Sequence, residues 1–186
     1  MKAPAARCSA PVRAIFLVGF MGAGKTSVGR ALSRKLGWPF EDLDDRIQAR
    51  EGRTIPEIFQ QSGEAEFRRN EVAALRELLA EAESGPIIAA LGGGAFVQEE
   101  VASLLENAGS VTVFLDAPAE ELWRRCERDV IDRPLQRKQA EFRQLYETRR
   151  PWYLRAQMRV DTEGLEVEHI VSAIMSGLGL NSSEEK

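Results

Sequence analysis

The feature that most constrains this chain is the octapeptide Gly19–Thr26, which reads Gly-Phe-Met-Gly-Ala-Gly-Lys-Thr. Its spacing is that of a phosphate-binding P-loop, G-x-x-x-x-G-K-T. The continuous apolar run Ala14–Val18 precedes it and is typical of a strand buried on both faces. Apolar residues at helical spacing follow it from Val28 to Leu36, and Gly37 is a plausible helix end. A strand, a glycine loop and a helix start in this order predict an anion site.

The residue types in this loop fit the phosphates of a nucleotide. Backbone N–H groups and the positive end of the helix dipole converge at one spot. Gly22 and Gly24 let the backbone approach without a Cβ clash. Lys25 can reach the β- and γ-phosphates, and the Thr26 hydroxyl can ligate Mg²⁺. The simpler interpretation, a glycine-rich turn that binds nothing, is disfavoured by the flanking strand and helix.

Apolar strand segments alternate with helical segments along the whole chain, which predicts an α/β fold. We expect five strands in one parallel sheet, at about 14–18, 38–42, 87–91, 111–115 and 158–161. Helices are expected at about 25–36, 44–51, 55–63, 64–83, 101–108, 118–127, 141–153 and 167–178. Asp44 is a candidate N-cap, and Thr54 with Glu57 matches a capping box.

The domain organisation predicted from this pattern is a single domain over residues 14–178. Residues 1–13 are expected to form a flexible extension, and residues 179–186 a flexible tail. The stretch 129–138 is polar and charged and has no apolar face to bury, so we interpret it as a mobile loop within a lid at about 127–138. Substrate-binding helices are expected at about 43–83.

Composition narrows the possible functions and compartments. The chain has 186 residues and a net charge of −4, which argues against a protein that binds nucleic acid through a general basic surface. Cys8 and Cys126 are its two cysteines, too few for a disulfide framework or a zinc site. No signal peptide or membrane span is evident, so we expect a cytoplasmic protein without a membrane partner.

Two acids at the end of the second predicted strand are the next candidate for chemistry. One of Asp42 and Asp44 could hold Mg²⁺, directly or through water. The other could accept a proton or a hydrogen bond from an attacking hydroxyl. The alternative is that both simply favour a helix N-terminus. Ligands of such sheets bind outside the carboxyl ends of the strands, where the P-loop and Gly92–Gly94 are also expected.

Arginines and glycines complete the candidate set. Arg68 and Arg69 point about 100° apart on a helix, so one could clamp a carboxylate while the other is solvated. Gly92–Gly94 favours close approach of the backbone to a ligand over a plain flexible turn. One arginine from the region 124–137 could fold over the phosphates, most of the others being solvated.

In combination, these motifs resemble the shikimate kinase family from about residue 14 to residue 176. The matching stretches are 19–26, Asp-Leu-Asp at 42–44, Glu-Phe-Arg-Arg at 66–69, Leu-Gly-Gly-Gly-Ala at 91–95, Arg-Pro-Leu at 133–135 and Arg-Arg-Pro-Trp-Tyr at 149–153. The resemblance implies a three-layer fold like that of nucleoside monophosphate kinases, with strand order 2-3-1-4-5. It also implies ATP-dependent phosphorylation of the shikimate 3-hydroxyl on the route to chorismate and aromatic amino acids, and we expect a monomer.

The resemblance further implies a role for each candidate residue. Asp44 would contact the shikimate hydroxyls, and Lys25, Asp44 and Arg133 would be catalytic. Asp42 and Thr26 would lie near Mg²⁺. The ATP site would comprise Gly22, Ala23, Gly24, Lys25, Thr26, Ser27, Arg125 and Arg133. The shikimate site would comprise Asp44, Phe67, Arg68, Gly92, Gly93, Gly94 and Arg149.

Two other functions remain compatible with parts of the pattern. The first is another small-molecule or nucleotide kinase, such as a gluconate or adenylate-type kinase, because the P-loop alone is common to many nucleotide enzymes. A nucleotide-dependent switch without phosphotransfer would be expected to lack the acids or the clamp arginines, whereas Asp42, Asp44, Arg68, Arg133 and Arg149 are all present.

Overall fold

The computed structural model describes residues 12–128 and 135–180, and it contains one five-stranded sheet. The strands are β1 Ala14–Val18, β2 Phe40–Asp42, β3 Ile87–Ala90, β4 Val111–Asp116 and β5 Met158–Asp161. Their order is β2-β3-β1-β4-β5, and every neighbouring pair is parallel. The predicted fold class and strand order are therefore confirmed.

Helices connect the strands, as parallel pairing requires. They are α1 Lys25–Leu36, α2 Leu43–Glu51, α3 Ile55–Ser84, α4 Glu99–Asn107, α5 Ala119–Arg128, α6 Leu135–Tyr153 and α7 Val167–Leu178. All residues of β1, β3 and β4 are buried, which explains their continuous apolar sequences. Among the described helices, none combines the length and apolarity needed to cross a bilayer.

Several boundaries differ from the prediction for identifiable reasons. The N-cap of α2 is Asp42 rather than Asp44: β2 runs into α2 without a loop, and the Asp42 carboxylate accepts the Asp44 N–H at 3.1 Å. Helix α6 begins at Leu135, so the last part of the predicted loop 129–138 is helical. Residues 135–138, Leu-Gln-Arg-Lys, are all good helix formers, so their largely polar character does not exclude a helix. The remaining loop residues, 129–134, lie outside the described chain.

The ends of the predicted domain also differ in detail. Val12 packs against the core, and the Arg13 carbonyl accepts a hydrogen bond from Ile87 N at 2.9 Å, so both belong to the domain. The predictions for residues 1–11 and 181–186 fall outside the described chain. In α3 the two predicted helices form one element with a kink at Gly63, whose φ of 78° and ψ of 170° are non-helical.

The capping box of α3 is present and provides a test of local stability. The Thr54 side chain accepts the Glu57 N–H, and the Glu57 carboxylate accepts the Thr54 N–H at 2.7 Å. We expect Thr54→Ala to lower the free energy of unfolding by about 1 kcal/mol, because a helix N–H loses its acceptor. Urea denaturation measures this. The control is Thr148→Ala, since the Thr148 hydroxyl only bonds the Gln144 carbonyl within α6; equal losses in both variants would contradict the capping argument.

Candidate active site

The P-loop connects the carboxyl end of β1 to the start of α1. Gly24 is the N-cap of α1 in a left-handed conformation, with φ of 84°, and its carbonyl accepts Val28 N at 2.9 Å. Gly22 has φ of +79°, and a Cβ there would lie 2.7 Å from the Leu122 carbonyl oxygen and 2.8 Å from Cys126 Sγ. Glycine is therefore required at position 22 by backbone angle and by the packing of α5 against the loop.

Lys25 folds back over the loop that precedes it. Its Nζ donates to the Gly19 carbonyl at 2.9 Å and to the Phe20 carbonyl at 3.0 Å. Burial lowers the pKa of this ammonium to about 8, and the nearby carboxylates of Asp44 and Asp42 oppose that shift. Two backbone carbonyls and two carboxylates thus hold a cation beside the loop.

The two predicted acids lie next to this cation. Thr26 Oγ1 donates to Asp42 Oδ2 at 2.7 Å, which joins the start of α1 to the end of β2. Burial raises the pKa of Asp44, and the adjacent Asp42 carboxylate raises it further, while Lys25 lowers it. These contacts bring together a hydroxyl, two carboxylates and an ammonium at the carboxyl ends of β1 and β2.

The triple glycine after β3 packs directly against these charged groups. A Cβ at Gly92 would lie 2.7 Å from Asp44 Oδ1 and 3.2 Å from Glu71 Oε1. A Cβ at Gly94 would lie 2.8 Å from both terminal nitrogens of Arg68. A side chain at either position would displace these carboxylates or the guanidinium, so glycine allows the charged groups to pack against the backbone.

The pair Arg68 and Arg69 separates as the helical geometry predicted. The Arg68 side chain is 23% exposed and faces the triple glycine, whereas that of Arg69 is 68% exposed and pairs with Glu66. Arg68 Nη1 donates to Glu71 Oε2 at 2.8 Å, and Nη2 donates to Glu64 at 3.1 Å. The guanidinium is thereby held in one orientation beside Gly94.

Glu71 is a site residue that the sequence interpretation missed. Its side chain is 1% exposed, and its Oε2 accepts hydrogen bonds from Arg68 and from Gln98 Nε2 at 2.6 Å. Its Oε1 is buried and has no hydrogen-bond partner among the described residues. Burial raises the pKa of Glu71, and the bond from Arg68 opposes the rise. The spacing i, i+3 from Arg68 on one helix was the available signal.

Helix α6 contributes the remaining contacts to the triple glycine. Arg149 Nη1 donates to the Gly93 carbonyl at 3.4 Å, and the Tyr153 hydroxyl donates to the same oxygen. Tyr153 is fully buried, as expected for a core aromatic, but this hydrogen bond was not anticipated. Arg149 also stacks over the Phe20 ring, 5.9 Å from its centroid, which links α6 to the P-loop.

An aromatic pair lies beside Arg68. Phe67 is 5% exposed, and its ring centroid lies 4.7 Å from that of Phe59 across the Gly63 kink. The Arg68 guanidinium carbon lies 5.3 Å from the Phe67 ring. An apolar surface therefore adjoins the cationic group.

Of the two arginines predicted to contact ATP, Arg125 and Arg133, the structure describes Arg125. Arg125 lies between α5 and the segment after β5, where it donates to Thr162 O at 2.8 Å and pairs with Glu121. The contacts described above for Lys25, Asp44, Arg68 and Gly93 do not include Arg125. Arg133 lies outside the described residues.

A five-stranded parallel sheet of order 2-3-1-4-5, with a P-loop at its carboxyl edge, defines the protein as a P-loop kinase of the nucleoside monophosphate kinase-like class. Comparison with known proteins gives the family. A family model described as "Shikimate kinase" matches residues 21–178. The chain therefore belongs to the shikimate kinase family.

Individual relatives agree with this assignment. Over 172 residues the chain is 40% identical to a shikimate kinase of Aquifex aeolicus, covering 90% of this chain and 97% of that protein. It is 43% identical over 174 residues to one of Caulobacter vibrioides, covering 91% and 84%. A solved structure of a shikimate kinase from Acinetobacter baumannii in complex with shikimate superposes with a TM-score of 0.79 at 35% identity, covering 89% and 92%.

Proposed function

We propose that the protein is a shikimate kinase, which transfers the γ-phosphoryl group of ATP to the 3-hydroxyl of shikimate and releases ADP. The observation that carries this proposal is a series of neighbouring groups: the Lys25 ammonium beside Asp44, Asp44 and Glu71 beside Gly92, and Arg68 bonded to Glu71. In the proposed function these groups would form a cationic phosphate loop, a hydroxyl acceptor and a carboxylate clamp along one cleft. An anionic polyol has both of the groups that such a cleft would bind.

The nucleotide end of the cleft would use the P-loop. The N–H groups at the start of α1 and the Lys25 ammonium would hold the β- and γ-phosphates, and the transfer would need little covalent chemistry from the protein. Lys25 already binds the loop carbonyls, so it would exchange or share these contacts when phosphate arrives. Arg125 would lie near the adenine, and Arg133 would approach the phosphates from the lid.

The oxygen groups of Thr26 and Asp42 fit a hydrated Mg²⁺ ion. Magnesium prefers oxygen ligands, keeps several waters and takes the rest of its ligands from substrate phosphates. A hydroxyl and a carboxylate oxygen 2.7 Å apart beside the P-loop supply that chemistry. When bound with ATP, the ion would offset charge on the phosphates. We propose Thr26 and Asp42 as its protein contacts, the latter directly or through water.

The acceptor end of the cleft would be formed by α3, α6 and the triple glycine. Arg68 and Arg149 would bind the shikimate carboxylate, and Phe67 would pack beside the ring. Asp44 would accept the hydrogen bond of the reacting hydroxyl and take up its proton as the phosphoryl group arrives. Its raised pKa makes it a better proton acceptor than an ordinary aspartate, while the nearby Lys25 ammonium favours its ionised form.

The test of the function is a coupled ADP-release assay with shikimate, gluconate and AMP as alternative acceptors. We expect turnover to require shikimate, because two guanidinium groups face the acceptor end of the cleft. Preferential turnover of gluconate or AMP would reassign the protein to another kinase of this fold. Nucleotide binding without any transfer would support a nucleotide-dependent switch instead.

Arg68 provides a test of the proposed carboxylate clamp. We expect Arg68→Ala to raise the KM for shikimate by about 10²-fold, because a charge-assisted bond is lost and Glu71 remains buried without its cation. The KM for ATP should change little. The matched control is Arg69→Ala, which removes an exposed guanidinium from the adjacent position. An unchanged KM for shikimate in the Arg68 variant would show that the carboxylate is bound elsewhere.

A further inference from the structure

The segment after β3 is a tight turn with two glycines at its centre. Ala95 N donates to the Gly92 carbonyl at 3.0 Å, so Gly92–Ala95 form a hydrogen-bonded β-turn. Gly93 and Gly94 are its central residues, and neither has a positive φ. A type II turn needs φ near +80° at the third residue. Among the common hydrogen-bonded types, the observed turn is therefore of type I.

The sequence of this turn does not itself select one type. Rotating the central peptide by about 180° converts a type I turn into type II, and a side chain at the third position would oppose that rotation. Glycine at position 94 removes this opposition. The rotation would reverse both the Gly93 carbonyl and the Gly94 N–H. A contact from outside the turn must therefore determine which of them faces the cleft.

Helix α6 supplies that contact through Tyr153. Its hydroxyl donates to the Gly93 carbonyl, and its fully buried ring packs on Phe114 with centroids 5.3 Å apart. Burial raises the pKa of this hydroxyl to about 12, so the donated proton is retained throughout the neutral range. Arg149 also donates to the Gly93 carbonyl, but over a longer distance of 3.4 Å. In the proposed function this arginine would bind the substrate carboxylate as well.

The direction of the Gly94 N–H follows from this hydrogen bond. The described chain has no cis peptide, and in a trans peptide the N–H points opposite to the carbonyl. The Gly94 N–H therefore points away from α6. Within the described chain, neither this N–H nor that of Gly93 has a hydrogen-bond acceptor. The Arg68 guanidinium lies next to Gly94, so an unbonded backbone donor adjoins the proposed clamp.

We infer that Tyr153 is a positioning residue for the acceptor substrate. Its hydroxyl fixes the Gly93–Gly94 peptide so that the Gly94 N–H is available to a shikimate oxygen beside Arg68. The inference rests on the proposed function, because it names shikimate as the ligand. Tyr153 itself does not contact the substrate and acts only through the orientation of this peptide.

The experiment is Tyr153→Phe, which removes one oxygen atom and keeps the buried ring. We expect the KM for shikimate and its Kd without nucleotide to rise about tenfold, while the KM for ATP and the unfolding temperature change little. The control is Tyr146→Phe, because the Tyr146 hydroxyl lies on the same helix but donates to the Ala117 carbonyl at 3.0 Å. This control should leave the KM for shikimate unchanged.

A measurement without substrate separates this inference from the proposed function. In the free enzyme, Tyr153→Phe should shift the Gly94 amide resonance in a ¹H–¹⁵N spectrum and Tyr146→Phe should not. Turnover by the wild-type enzyme tests the function itself. An unchanged Gly94 resonance, or equal effects of both variants on the KM for shikimate, would overturn the inference. Failure of Tyr153→Phe to fold would also overturn it, since the hydroxyl would then support the whole domain.

Discussion

Asp44→Asn is expected to lower kcat by about 10³-fold while leaving the KM for ATP within about twofold of the wild-type value. The amide keeps the size and most of the packing of the carboxyl against Gly92. It cannot take up the proton of the attacking hydroxyl, and a positioned base typically contributes 10²- to 10⁴-fold to the rate. The coupled assay gives both constants, with shikimate and ATP varied in turn.

Stability separates a catalytic role of Asp44 from a structural one. Because its pKa is raised in the folded protein, the ionised carboxyl opposes folding at pH values above its unfolded pKa. The neutral amide should therefore unfold at the same temperature as the wild-type protein or a higher one at pH 7. Asp45→Asn, an exposed neighbour in α2, is the control and should keep full activity. Wild-type turnover by Asp44→Asn would remove Asp44 from its proposed role.

The sheet could be predicted from the sequence because burial on both faces leaves a strong local signal. The bounds of β1 coincide with the predicted ones, since its apolar run is bounded by Arg13 and Gly19. Those of β5 also coincide, although Val160 is its one buried residue. The signal was weaker at the start of α6. Its first residues are mostly polar and carry no apolar periodicity, so their sequence resembled a loop.

The residues that support the site were less accessible to sequence reasoning. Motifs identified Asp44, Arg68 and the triple glycine, whose types and spacing carry chemistry. The Glu71 carboxylate and the Tyr153 hydroxyl act through contacts with residues brought close only by the fold: Tyr153 is 60 positions from Gly93. The sequence linked Cys126 to no site, yet its sulfur lies next to the P-loop at Gly22. Contacts between residues that are distant in the chain leave no pattern in the sequence around either residue.

Lys25→Met is expected to lower kcat/KM for ATP by about 10³-fold, near the upper end of what one lost electrostatic donor costs. Methionine preserves much of the apolar volume of the lysine side chain but carries no charge to the phosphates. Because burial lowers the pKa of Lys25 from its ordinary value to about 8, the charged form is disfavoured in the folded protein. The variant should therefore be at least as stable as the wild-type protein at pH 7. Lys35→Met, at an exposed position of α1, is the control for loss of charge alone.

The pH dependence of the same constant tests the mechanism behind this effect. Between pH 8 and the ordinary lysine pKa of 10.5, Lys25 is protonated in the unfolded chain but deprotonated in the folded enzyme. The free energy of unfolding therefore rises with pH in this range. The affinity for phosphate should fall over the same range, because the ammonium charge is lost. The pH dependence of kcat/KM reports the pKa values of groups in the free enzyme. Wild-type kcat/KM for ATP should therefore decline as the pH rises through about 8. Lys25→Met has no ammonium to lose, so its residual activity should not follow that decline. Parallel profiles for the two proteins would mean that another group governs nucleotide capture, and that the charge of Lys25 is not what the phosphates require.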